Sequence, residues 1–155
     1  MARLARTAFL ATLLIAAAAL AACGDDTKEK NRYIRDLTAA QETYQATAKR
    51  IEAGATQAST PREDRRTLDR FAAAIGDAIT ALRAIEVPPE VVAEHRRFVG
   101  VFMTWHDDIA RFVAAIKKPT RKGVERARRM IAVANQAFNQ RLRQAGTNID
   151  AKLRS

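Results

Sequence analysis

The 155-residue chain holds one cysteine, two histidines, four prolines and six glycines. A single cysteine excludes an intramolecular disulfide and any Cys-x-x-Cys metal or haem motif. Scarce proline and glycine disfavour both an all-β fold and a disordered low-complexity chain, because each depends on turn formers or on a biased composition. Neither a Gly-x-Ser-x-Gly elbow nor a glycine-rich phosphate loop occurs. A di-iron bundle needs Glu-x-x-His on two helices, but Val92 and Met103 stand three residues before His95 and His106. On one helix those two histidines share a face about 16 Å apart, too far to hold a common metal. The consecutive His106, Asp107 and Asp108 point about 100° apart around a helix and do not converge on an ion. These gaps leave no catalytic residue, no metal site and no cofactor to nominate, so the expectation is a protein that is not an enzyme.

What the chain does have is alanine, arginine, glutamine and leucine, the residues that lose least freedom in a helix. Lysine plus arginine number 27 against 17 aspartates and glutamates, a net charge of +10. The length fits one domain.

The first 23 residues are organised unlike the rest. Arg3 and Arg6 precede an uncharged run from Thr7 to Ala22, shorter than the roughly 20 residues that cross a bilayer as a helix. A basic start, a short apolar middle and small residues at the end describe a secretory signal peptide over residues 1–22, set aside from the fold. Its end, Leu20-Ala21-Ala22-Cys23, resembles the lipobox of bacterial lipoproteins. That resemblance implies cleavage before Cys23 and a diacylglyceryl group on its sulfur, which would anchor the protein to the outer face of the cytoplasmic membrane or to another envelope membrane. Two or more acyl chains hold a protein stably where one does so only marginally. The alternatives are an unmodified buried thiol or an ordinary signal peptide cut nearby. Removing residues 1–22 leaves 25 basic against 17 acidic side chains, a net +8. The mature chain is also loosely similar to small helical lipoproteins of high-GC bacteria, through Pro88-Pro89-Glu90 and the histidine helix that follows. That likeness implies no activity.

Beyond a tether over residues 23–30, apolar positions recur every three to four residues in four blocks. Ile34, Leu37, Gln41, Tyr44, Ala48 and Ile51 mark the first, with Asp26 as a cap and Glu29 as its capping-box partner. Thr60, Pro61 and Glu63 are a cap, a first-turn proline and a box partner for the second, striped by Leu68, Phe71, Ile75, Ala78, Leu82 and Ile85. Pro88 and Pro89 end it. Val91, His95, Phe98, Phe102, Trp105, Ile109, Phe112 and Ile116 mark the third, widened by Val92, Val99 and Val113. Val124, Ala127, Ile131, Ala134, Phe138, Leu142, Ala145 and Ile149 mark the fourth, which Gly146 either ends or weakens. The expected spans are about 27–54, 62–86, 89–117 and 121–148, each about 37–43 Å long. Matched lengths and short loops give an all-α, antiparallel up-down-up-down four-helix bundle over residues 31–155.

In that topology the lipid holds one end down, and the first and third loops lie at the far end. Residues 49–70 carry six basic against four acidic side chains and residues 117–129 seven against one, so these two stretches hold the whole mature net charge. A basic tip of Arg62, Arg65, Arg66, Lys117, Lys118, Arg121, Lys122, Arg126, Arg128 and Arg129 would stand on the order of 40 Å from the membrane, well beyond a Debye length of about 8 Å. Its expected partner is an anionic cell-wall polymer or an acidic protein; the competing reading is a solvated basic face. Arg121 and Lys122 sit where the helix dipole disfavours cations, a conflict that a bound anion relieves. Nucleic acid is not expected, because the tip lacks interleaved aromatics to stack on bases. The second functional reading is a carrier or sensor of a small apolar ligand or haem inside the bundle, lined by Tyr33, Tyr44, His95, Met103 and His106. His95 on the core stripe reads first as a hydrogen-bonded core histidine.

Overall fold

The computed structural model describes residues 25–54, 60–115 and 121–155, and the described residues are almost wholly helical. Four helices form a bundle: α1 (Asp25–Ala53), α2 (Pro61–Arg83), α3 (Val92–Ala115) and α4 (Arg121–Leu153), with a 3-10 turn over Pro89–Val91 leading into α3. Cys23 lies outside the described residues.

Local chemistry sets most of the boundaries. Thr60 caps α2 in an extended conformation; its hydroxyl accepts from the Glu63 backbone N–H at 3.3 Å, and the Glu63 carboxylate accepts from the Thr60 N–H at 2.6 Å. Pro61 takes the first helical position, where a missing N–H costs nothing. At the other end of α2 the Ala84 N–H reaches back to the Thr80 and Ala81 carbonyls at 3.2 Å. Pro88 and Pro89 then prevent continuation, and the chain restarts through the 3-10 turn, with Val91 completely buried.

Four local expectations change. Asp26 is inside α1 rather than at its cap, and residues 25–30 are helical rather than a loose tether. Tyr33 is completely buried and Ile34 only partly, so the core face of α1 begins one residue earlier than the stripe drawn through Ile34. Val92 is exposed, since it heads α3 on the far side from Val91. Gly146 neither ends nor interrupts α4, which runs on to Leu153 and buries that leucine as well. One glycine costs about 1 kcal/mol of propensity, which the flanking burial of Leu142, Ala145, Ile149 and Leu153 outweighs at about 1.5–3 kcal/mol for each large side chain.

The core is built on α3. Phe98, Phe102, Trp105, Ile109 and Phe112 are each at most 3 % exposed. In the same cluster α2 contributes Ile75 and Ala78, and α4 contributes Ala127, Phe138 and Ala145. The alanines make room for the large side chains of α3. At mid-height the rings pack edge to face: Tyr44 and Phe138 meet Phe102 at centroid distances of 5.3 and 5.4 Å, while Trp105 stacks on Phe138 at 5.4 Å. A smaller cluster of Ala48, Ile51, Phe71 and Ala74 closes α1 on α2.

Consecutive helices approach one another closely, whereas α1 and α4 stand farther apart. At one end they are joined by Lys30, whose ammonium donates to the Leu153 carbonyl at 3.3 Å and pairs with Glu90 at 3.1 Å. Arg32 pairs with Glu86 nearby at 2.8 Å.

Candidate functional site

The residues nominated as ligand-lining separate into three places. Tyr33 and His95 form one buried unit. His95 Nε2 lies 3.0 Å from the Leu82 carbonyl and Nδ1 lies 3.1 Å from the Tyr33 hydroxyl. A carbonyl only accepts, so the network assigns the proton to Nε2, and Nδ1 accepts from Tyr33. The ring thereby ties α1 and α3 to a carbonyl in the last turn of α2. Both nitrogens are occupied, which leaves no open coordination position for haem iron at His95. Burial holds the imidazole below its ordinary pKa of 6.5, partly offset by the bond to Leu82. Burial, reinforced by the charge of Glu94, pushes the Tyr33 phenol well up. The reading of His95 as a hydrogen-bonded core histidine is the one this geometry matches.

Tyr44 is the second place. Its hydroxyl accepts from Trp105 Nε1 at 3.1 Å. Burial pushes its pKa up to about 12; the bond from Trp105 opposes that shift and the charge of Glu52 adds to it. The tyrosine stands between two cavities. One is an open groove of about 550 Å³ between α1 and α2, walled largely by alanines with Asp36 and Asp77 at its rim. The other is a cavity of about 30 Å³ between α1 and α4, lined by Gln41, Gln45, Asn135 and Asn139 over Tyr44, Phe102 and Phe138.

Met103 and His106 are the third place, on the outer side of α3. Met103 is 43 % exposed, with the Arg83 guanidinium 3.2 Å from its sulfur. His106 is half-exposed and faces Asp107 at 3.9 Å. Asp108 turns away to pair with Arg111. The five residues therefore do not line a common pocket: Tyr33 and His95 fill their own space, Tyr44 borders the mid-bundle cavities, and the other two face outward.

Of the basic residues, Arg62, Arg65, Arg66, Arg126 and Arg129 are exposed. Lys117 and Lys118 lie outside the described residues, as do the side chains of Arg121, Lys122 and Arg128. Among the described residues no group of three or more His, Cys, Asp or Glu is placed to hold a metal ion. No helix among them is long and apolar enough to cross a membrane.

Periodicity gave no warning of the α1–α4 cavity. Gln41 was visible as a polar member of the first stripe, but Asn135 and Asn139 lie off the fourth stripe and read as surface. A run of carboxamides on the edge of two stripes was the only available signal.

The fold thus defines a four-helix bundle protein whose apolar core, among the described residues, also buries Gln41 and His95. Comparison with models of known families, with curated proteins and with solved structures finds no match for the chain.

Proposed function

We propose that the chain is an exported lipoprotein in which Cys23 carries the lipid after cleavage of residues 1–22. In this reading an antiparallel up-down-up-down bundle holds a basic end away from the membrane, where it binds an anionic envelope polymer or an acidic protein without catalysing a reaction. The contacts of Lys30 with Leu153 and Glu90 support the topology, because they join the start of α1 to the end of α4 and to the α2–α3 connection. Ile51, near the end of α1, packs in turn with Phe71 and Ala74 in the middle of α2.

The observation that carries the binding reading is the exposure of Arg62, Arg65 and Arg66 in the first turns of α2 together with Arg126 and Arg129 in the first turns of α4. In the proposed topology both helices start at the end remote from Cys23. The 29 residues of α1 set that end about 42 Å away at 1.5 Å per residue. The anchoring membrane is then out of electrostatic range of the basic end.

Two measurements test the reading. Intact mass of the protein purified from its host should correspond to a chain beginning at an acylated Cys23. Binding to isolated envelope polymer should weaken with salt, and with reversal of Lys117, Lys118, Arg121 and Lys122 to glutamate. Unchanged retention of the reversed protein, or an unacylated thiol, overturns the proposal.

A further inference from the structure

We propose that the seam between α1 and α4 is a binding site for an uncharged ligand with a carbonyl head and a flat apolar body, the head hydrogen-bonding to the Gln41 carboxamide. Three observations converge there. First, α1 and α4 stand farther apart than the consecutive helix pairs, so the seam is the part of the bundle not closed by backbone packing. Second, carboxamides line the cavity inside it, over an aromatic floor of Tyr44, Phe102 and Phe138. Third, Gln41 is 4 % exposed and borders that cavity, yet its Nε2 has no hydrogen-bond partner among the described residues.

The third observation points to an acceptor that the described residues themselves do not supply. A buried donor left without an acceptor keeps its desolvation penalty, and a leucine of similar size at the same place would avoid it. The neighbouring amides do not relieve Gln41: Asn139 Nδ2 donates to Asn135 Oδ1 at 3.4 Å, within their own helix. The lining side chains carry no formal charge, so an ionic head would enter without a counter-charge, and an uncharged oxygen acceptor is the matching chemistry. The cavity of about 30 Å³ admits one small oxygen-bearing group. It is partly open to solvent, so the head of the ligand enters above the aromatic floor and its apolar body lies outward along the seam between α1 and α4.

This site is independent of the basic end and of the membrane anchor. It shares Tyr44 with the carrier reading of the sequence, but lies at the carboxamides of α1 and α4 and not at either histidine.

The protein carries its own reporter. Trp105, the sole tryptophan, stacks on Phe138 and donates to Tyr44, both of which border the cavity. Benzamide presents a carbonyl on a flat ring; toluene has the ring alone. Benzamide should shift the Trp105 fluorescence of the protein saturably, and toluene should bind about fivefold more weakly, the factor that one lost hydrogen bond of ordinary strength represents. Gln41→Leu should abolish the preference for benzamide while raising the melting temperature by about 2–6 °C. Gln140→Leu, on the exposed side of α4 and outside the cavity lining, should leave the preference for benzamide in place. Equal binding of benzamide and toluene, an undiminished preference in Gln41→Leu, no saturable response, or a lowered melting temperature in Gln41→Leu would each overturn the proposal.

Discussion

Where α1, α2 and α3 meet, the Tyr33 hydroxyl, both nitrogens of His95 and the Leu82 carbonyl satisfy one another at 3.0–3.1 Å. Eight residues along α1, about 12 Å away, Gln41 is as deeply buried, yet its Nε2 is bonded to nothing described. The first region invests its polarity in holding three helices in register. The second keeps a polar group under a seam that the backbone leaves wide. The difference teaches that burial alone does not identify a structural polar residue; what its donors and acceptors meet decides the matter.

Three changes probe the contrast, in falling order of effect. Phe102 forms the aromatic floor under the seam, packing on Tyr44 and Phe138, and also packs on Phe98 at 5.8 Å within α3. Phe102→Ala should cost about 3–5 kcal/mol in denaturant unfolding, with the lower figure expected if α1 and α4 close inward to fill the space. Tyr33→Phe deletes only a hydroxyl, but it leaves His95 Nδ1 buried without a donor. It should cost about 1–3 kcal/mol, measured as a lower urea midpoint at unchanged slope. The smallest effect is on pH dependence. Because His95 titrates below 6.5 in the folded protein, the unfolded chain takes up its proton first as the pH falls. Stability from this group is complete above pH 6.5 and is lost as the pH drops from there through the folded value. Melting temperatures taken from pH 7.5 to 5 should show that decline, and His95→Gln should flatten it relative to the parent protein.

The helices, and His95 as a core residue, were legible in the sequence for physical reasons. Three- to four-residue spacing of Leu68, Phe71, Ile75, Ala78 and Leu82 admits a helix and little else. Thr60-Pro61-Arg62-Glu63 spells out a capping box, since each partner is local. His95 on an otherwise apolar stripe pointed to a bonded core histidine, though its partners, 62 and 13 residues away, were not readable. The starting register of α1 was less legible, because adjacent Tyr33 and Ile34 are both plausible core residues and tertiary packing chose the tyrosine. Of the two readings of Gly146, that it ends α4 or weakens it, the helix running on to Leu153 rules out the first, because distant burial outweighs a local helix breaker. The seam was illegible for a different reason. Stripe patterns report which face of a helix turns inward, but not how far apart two inward faces stand, so Asn135 and Asn139 could not be recognised as neighbours of Gln41.

The most direct test of this account is to compare the unfolding free energies of Tyr33→Phe and Gln41→Leu with that of the parent protein under identical conditions. Each replaces a polar side chain on α1 with an apolar one of similar size. A loss for Tyr33→Phe and a gain for Gln41→Leu is the predicted result. If Gln41→Leu loses stability as Tyr33→Phe does, Gln41 is as well satisfied as the junction and the distinction between the two regions fails.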